Sequence, residues 1–320
     1  MKKLSELMNF YYDKIYPQVE TLENDRKKVL FKIKLSIFIC IFIAIAIITT
    51  SYYIGLLKKG IDPIYWAMTI PLALYGILYK LIISDYRNDF KDEVIQKIVS
   101  FLEPTLKYNK NGYIYKEEFI WSNLFQKRID RYSGNDLVEG KIGETNIKFS
   151  DIKAEYKTTS KNKTIWHTIF RGQFFMADLN KEFNGRMVVL PDSAEKLLGG
   201  IGRFLQSHNP DRDKLIKLDN PEFEKEFVVY ANDEITSRYI LTHSMMQRIL
   251  NFKKKSKKEI YLSFRNSKIF VAVSSKDMLE PNPFKPLNDF DTIKEYYESF
   301  KIVVDIVNEL KLNRRIWSKK

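Results

Sequence analysis

Residues 35–57 read LSIFICIFIAIAIITTSYYIGLL, and none of these 23 residues carries a charge. A helix of that length rises about 34 Å at 1.5 Å per residue, enough to cross a hydrocarbon core of about 30 Å. A secretory leader would have a shorter apolar stretch nearer the first residue and would end in small residues at a cleavage site. The stretch therefore reads as a membrane span. The chain's one cysteine, Cys40, lies inside it, which excludes an intramolecular disulfide framework and a cysteine-based zinc site.

Beyond it, Ile64 to Tyr79 is uncharged, and Lys80 is followed by Leu81-Ile82-Ile83. The long stem of Lys80 lets its ammonium reach an interface, so 64–83 reads as a second span. Tyr65, Trp66, Tyr75 and Tyr79 suit interfacial positions, and Pro71 is a kink that membrane helices tolerate. Arg26, Lys27, Lys28, Lys32 and Lys34 precede the hairpin, and Lys80, Arg87, Lys91 and Lys97 follow it. Only Lys58 and Lys59 fall in the turn between. That asymmetry predicts both termini in the cytoplasm.

Both helices are expected to outrun the membrane. Pro17 suits a first helical turn, so the first runs from about Gln18 to Leu57, and the second from Pro63 to Glu103, stopped by Pro104. Val19, Leu22, Val29 and Ile33 form one apolar stripe, interrupted by Asn24 and Arg26; Tyr86, Phe90, Val94, Ile98, Phe101 and Leu102 form another. Either the stripes pack together as an antiparallel stalk or each covers the domain downstream. Leu4, Leu7, Met8, Tyr11, Tyr12 and Ile15 suggest a separate short amphipathic helix. The expected organisation is an amphipathic region at 1–34, two spans with a short non-cytoplasmic turn at 35–83, a helical stalk at 84–103 and a cytoplasmic domain at 104–320.

With 45% hydrophobic and 14% aromatic residues, 12 Gly and 10 Pro, the chain is neither collagen-like nor wholly disordered. In its last two thirds, Asp136 to Tyr156 alternates as a β-meander around Gly143-Glu144-Thr145, and Thr164 to Ala177 reads as one long strand. Arg186 to Leu190 and Glu226 to Tyr230 are further strands. Ser193 to Gln206 and Asp233 to Phe252 have helical spacing. Glu259 to Phe264 and Lys268 to Val273 flank Arg265-Asn266-Ser267 as a hairpin, and Ile293 to Leu312 is a closing amphipathic helix. The class is α+β: a mixed sheet or partial barrel closed by the C-terminal helix, with a pleckstrin-homology-like barrel as one form it can take.

Several strings occur in a set order behind the hairpin: Phe170-Arg171-Gly172-Gln173-Phe174-Phe175-Met176-Ala177-Asp178, Val189-Leu190-Pro191-Asp192, Pro221-Glu222-Phe223-Glu224-Lys225-Glu226-Phe227-Val228-Val229-Tyr230, Arg238-Tyr239-Ile240-Leu241-Thr242 and Leu312-Asn313-Arg314-Arg315-Ile316-Trp317. Together they resemble an uncharacterised bacterial two-span membrane-protein family, domain of unknown function 3137. The resemblance implies a bacterial membrane protein and brings no catalytic residues with it. Thr236-Ser237 departs from the acidic residue and alanine expected before Arg238.

Chemistry is sparse. His167, His208 and His243 show no metal-ligand spacing with one another or with Cys40, and no nucleophile elbow, zinc-protease, calcium-loop or phosphate-loop motif occurs. No metal, cofactor or catalytic residue is expected. Gly199-Gly200-Ile201-Gly202 reads as a flexible loop, and Asp219, Glu222, Glu224 and Glu226 as a solvated face or first helical turn. Arg171, Arg238 and Arg315, inside the recognisable strings, are the candidate anion-binding residues, because a guanidinium grips carboxylate or phosphate with two hydrogen bonds. Lys253, Lys254, Lys255, Lys257 and Lys258 form a basic patch after an amphipathic helix. Near an anionic leaflet each lysine adds about 1 kcal/mol of attraction, so anionic lipid headgroups suit the patch and nucleic acid is not expected. The leading expectation is a tethered binding or scaffold domain in the bacterial inner membrane, with a protein partner or second copy. An enzyme on a lipid-linked or anionic substrate and an oligomeric transport subunit are the rivals.

Overall fold

The computed structural model describes residues 4–55, 63–160, 163–179, 183–192, 213–275, 279–310 and 312. The connecting turn with Lys58 and Lys59, the stretch from Ser193 to His208 and Arg315 lie outside the described residues. Two compact units emerge: Met1–Ile98 with Leu279–Tyr296, and Val99–Met278 with Tyr297–Lys320.

The first unit is built on long helices. α1 (Leu4–Phe10) does not stop at Ile15. It passes through a π-helical turn, Tyr11–Ile15, straight into α2 (Tyr16–Tyr53), whose first turn holds Pro17, so the expected separate helix starting at about Gln18 is corrected to one continuous run. A proline ring collides with the carbonyl four residues back. The wider turn just before Pro17, where the Tyr16 N–H donates to Tyr11 O, accommodates that collision without breaking the helix. α2 also ends short of Leu57, because Gly55 adopts φ +69° just past Ile54 and closes the helix with a left-handed cap. α3 (Pro63–Phe90) carries Pro71 internally, passes through a second π-helical turn (Lys91–Ile95) and continues as α4 (Gln96–Leu102), stopping before Pro104. Among the described residues, two helices are thus long and apolar enough to cross a membrane, by length and composition.

α2 packs along α3. Val19, Leu22, Val29 and Ile33 are buried on one, and Ile83, Tyr86, Phe90, Val94 and Ile95 on the other and its continuation. The two residues that break the first stripe have different fates. Asn24 stays outside, but Arg26 is buried together with Glu23. Arg26 Nε and Nη2 donate to the two Glu23 oxygens at 2.8 and 2.7 Å, and Nη1 donates to Pro283 O at 2.6 Å. Glu23 in turn accepts from the Leu287 N–H at 3.0 Å. The proline-rich segment 279–296, which composition assigns to the domain at 104–320, is therefore clasped by this ion pair within the helical unit. Lys91, also buried, and Arg87 both reach Glu280 of the same segment, and Tyr11 and Phe90 pack on Phe290 and Tyr296.

The second unit is one open sheet with helices on both faces. β1 (Lys107–Asn109), β2 (Arg131–Ile142), β3 (Thr145–Ser160), β4 (Lys163–Asp178), β5 (Arg186–Pro191), β6 (Lys214–Ile216), β7 (Phe227–Ala231), β8 (Ile260–Arg265) and β9 (Lys268–Ser274) run in the order β1-β2-β3-β4-β9-β8-β5-β7-β6. Every pairing is antiparallel, and none joins β1 to β6 among the described residues, so the fold is α+β without a closed barrel. The β8–β9 hairpin turns where expected, with φ of 44° at Asn266 and 60° at Ser267, the conformation a tight two-residue connection needs.

One face of the sheet holds Ile152, Ala154, Phe170, Phe174, Phe270 and Ala272, packed on Phe119 of α5 (Lys116–Trp121). On the other face Phe149 meets Phe300 of α9 (Phe290–Glu309), ring centroids 5.9 Å apart. Phe227 there meets Phe223 of α6 (Pro221–Glu226), a helix capped by the Asn220 side chain. The helical spacing from Asp233 to Phe252 is really two helices, α7 (Glu234–Ile240) and α8 (His243–Ser256). Asp233 caps the first, and the Thr242 hydroxyl accepts from Met245 N to start the second.

β3 and β4 are 16 residues each and outlast their neighbours. β2 leaves β3 at Glu155 and β9 leaves β4 at Gly172, so in the ladder Tyr156–Ser160 and Lys163–His167 pair only with each other among the described residues. His167 belongs to this arm. It stacks on Tyr156 at 4.9 Å and shares a 2.8 Å hydrogen bond with Thr158.

Candidate functional site

Alternation along a strand puts every second residue on one face, and the register lines those residues up across strands. On the α9 side, one row reads Phe149, Phe175, Val271 and Leu262, and it is apolar. The next reads Asp151, Gln173, Val273 and Ile260, since Asp151 pairs with Gln173, Gln173 with Val273, and Val273 with Ile260. One step further, Lys153 pairs with Arg171, and continuing the ladder brings in Ser275 and Lys258. An apolar face thus turns polar over two rows. Register brings a candidate arginine from the sequence, Arg171, to the same end of the face as Lys258 of the basic patch, which feels the charge of Asp151.

Asp151 is 6% and Gln173 3% exposed. Neither the Gln173 Nε2 nor its Oε1 has a hydrogen-bond partner among the described residues, and the Ser275 hydroxyl is likewise buried without one. An amide buried in that way lowers stability by about 1–3 kcal/mol. Lys153 is held by Glu155 at 2.7 Å, and Glu155 by Arg131 at 3.4 Å as well. Burial lowers the Lys258 pKa below the ordinary lysine value, and the charge of Asp151 opposes that shift. Between β4 and β9 the strands come unusually close. Gly172 has φ +153°, and a Cβ there would stand 2.2 Å from Val273 O.

The other candidates sit elsewhere. Arg238, on α7, is exposed and bonded to Glu234 and Asp219 at 3.0 Å each and to Lys217 O at 3.1 Å, so its donors are engaged in a surface cluster. Within the lysine run, Lys253 pairs with Glu226 at 2.6 Å over the Phe227 ring, and Lys255 pairs with Asp305 at 2.9 Å. Lys254 and Lys257 are exposed at the C-terminal end of α8. With Lys253, Lys258, Glu222, Glu226 and Glu259 they line a depression of about 470 Å³. A second depression, about 530 Å³, lies over β1–β4, where Lys268 and Asn146 both hold Asp178. Of the acidic string, Glu224 accepts from Leu218 N, a structural task. No group of three His, Cys, Asp or Glu side chains that could hold a metal occurs among the described residues.

The row that turns polar crosses from β3, through the Phe170–Asp178 string, to β9 and β8. Residues 168–312 match the model of a family described as Protein of unknown function (DUF3137). The match bears out the resemblance read from the strings, and it takes in Arg171, Gly172, Gln173, Lys258 and Ser275. Asp151, Lys153 and both long apolar helices lie outside the DUF3137 region. No curated protein matches the chain. Among solved structures, the crystal structure of the mycobacterial trehalose monomycolate transport factor A, TtfA, matches at 10% identity, covering 62% of this chain and 88% of that one with a TM-score of 0.32. A likeness at that level carries no argument.

Sequence reasoning missed Asp151, Gln173 and Ser275. Their signal is a polar residue at an inward position of a strand that is otherwise apolar there: Asp151 after Ile147 and Phe149, and Gln173 before Phe175.

Proposed function

We propose that this chain is a bacterial inner-membrane protein whose two apolar helices tether a cytoplasmic binding module, with both termini in the cytoplasm. In this reading 35–83 is the tether, 84–103 the stalk, and the module begins at 104. Length and hydropathy of the helices support the tether, and the excess of Lys and Arg outside the hairpin supports the orientation. The observation that carries the binding reading is the buried Gln173 amide with open hydrogen-bonding capacity beside Asp151 and Arg171.

A C-terminal alkaline-phosphatase fusion is expected to be inactive and a fluorescent-protein fusion bright; the reverse pattern would invert the orientation. Native mass spectrometry of the full-length chain, extracted gently from its own membrane, is expected to show a discrete added mass that Arg171→Ala removes. Bare wild-type protein would rule out a tightly held small molecule and turn the search to protein partners or a second copy. A second reading, an enzyme on a lipid-linked or anionic substrate, draws on Lys258 near Asp151, an amine whose pKa burial lowers while the charge of Asp151 opposes the shift. Turnover of a phosphate ester by the wild type and its loss in Lys258→Met would select that reading.

A further inference from the structure

Open sheet edges recruit other strands, and natural sheets end on strands that are short, charged or covered. This sheet ends on β1 and β6, three residues each. The outer edge of β4 is different. From Lys163 to Phe170 no strand lies beside it among the described residues, because β9 pairs only from Gly172 onward. No proline interrupts this stretch, and the register shift between Ala154 and Glu155 marks only its base.

Backbone geometry shows which groups the edge offers. In an antiparallel ladder, opposed residues alternately bond each other or both turn their N–H and C=O outward. Lys157 N donates to Asp130 at 2.9 Å, and Glu155 O accepts from Asp130 N at 2.9 Å, both on the β2 side. Their partners across the ladder, Trp166 and Thr168, therefore turn their own groups away from β3, and Thr164, two positions before Trp166, does the same. All three residues are exposed, and these groups meet no partner among the described residues.

We propose that the outer edge of β4 takes an extended acidic segment of a partner protein as an added strand, bonded through Thr164, Trp166 and Thr168. Charge selects the partner. Residues 156–177 contain no Asp or Glu, and Lys157, Lys161 and Lys163 fall within the arm. Lys157 and Lys163 are exposed and enter no ion pair among the described residues. A second copy of this edge would bring like charges together, and a lipid surface would match the charge but leave the strand edge unpaired. An acidic strand answers both. Alternation adds side-chain contacts on each face: Trp166, 38% exposed with Arg131 over its ring at 3.8 Å, on one, and Ile165, 55% exposed, on the other. The edge shares no residue with the Gln173 site, so the two stand or fall separately.

The test titrates the full-length chain, in phosphatidylcholine nanodiscs, with a labelled peptide of about ten alternating Glu and Val residues, long enough to cover an ordinary strand. Two controls are the same peptide with Lys in place of Glu and the acidic peptide with its backbone nitrogens methylated, which keeps the charge and loses the donors. The acidic peptide is expected to bind and to slow amide exchange at Thr164, Trp166 and Thr168, and both controls to bind at least about tenfold more weakly. Lys157→Glu with Lys163→Glu should weaken binding by a similar factor at an unchanged melting temperature. Thr164→Pro, which removes one outward N–H where an edge strand tolerates proline, should weaken it as well. No binding of the acidic peptide at millimolar concentration, equal binding of the methylated one, or unchanged affinity in the lysine double variant would overturn the proposal. Slowed exchange at the same amides without peptide would also overturn it: in discs containing phosphatidylglycerol it would assign the arm to the lipid surface, and in discs holding two chains to a second copy.

Discussion

Arg26→Ala is expected to destabilise the helical unit by about 3–5 kcal/mol, the range for stripping one partner from a buried ion pair. The change leaves Glu23 charged and 6% exposed, and it deletes the hydrogen bond to Pro283 O. The effect should be local. Residues 279–296 are held through Pro283 and Leu287, so their amides should exchange faster and the segment become open to proteases while the sheet unit keeps its protection. Unchanged exchange in that segment would mean the pair does not hold it. Replacing both charges, Glu23→Leu with Arg26→Met, removes the uncompensated charge and is expected to recover most of the loss.

The same pair sets a pH dependence. The hydrogen bond from Arg26 is the largest influence on Glu23, followed by opposing burial, and the net result lowers its pKa below the usual glutamate value. A carboxyl with a depressed folded-state pKa contributes stability that is present above the unfolded-state pKa and is lost as pH falls through the folded value. The helical unit is therefore expected to loosen on acidification below the ordinary glutamate range, and Glu23→Gln to flatten that part of the profile. Exchange of 279–296 measured across acidic pH checks it.

Gly172→Ala is expected to be the most damaging small change in the sheet unit, costing about 3 kcal/mol from backbone strain and overpacking together. At φ +153° a side chain is strained whatever the space, and the space is also taken: the new Cβ would stand 2.2 Å from Val273 O and 2.7 Å from Ser275 N. Those are backbone atoms of β9 and its exit, so no rotamer relieves the clash and the two central strands must separate. Because Arg171 and Gln173 flank the glycine, ligand binding should be lost along with stability. Thermal unfolding of the full chain decides it; a melting temperature close to wild type would show that β4 and β9 can part without penalty.

What the sequence reveals follows from how local each signal is. β4 is legible because Thr164 to Ala177 is dense in β-branched and aromatic residues, and the β8–β9 hairpin because Asn266-Ser267 accepts positive φ. The start of α2 is misread because Pro17 suits the first turn of a new helix, while the π-helical turn that absorbs it has no sequence mark. The clasp is invisible for another reason. Residues 279–289 have prolines and no period, and of the anchors Arg26 reads as a flaw in an apolar stripe and Glu23 carries no signal at all until the partner arrives from more than 250 residues away. The site is half legible: Arg171 stands out, but only the register between β3 and β4 brings Asp151 beside Gln173.

The arm formed by Tyr156–Ser160 and Lys163–His167 has no third strand beside it among the described residues, and only its base is braced, where Lys157 N donates to Asp130 and Arg131 lies over the Trp166 ring. Its length is consequently a free variable of the architecture. Removing or adding one matched pair of positions on each strand flips the faces of the tip alone, and two matched pairs restore them, with β2, β9 and both buried faces untouched. Natural chains built on this plan should therefore differ in the reach of this arm while keeping the glycine at its base, and engineered ones can carry a reporter there.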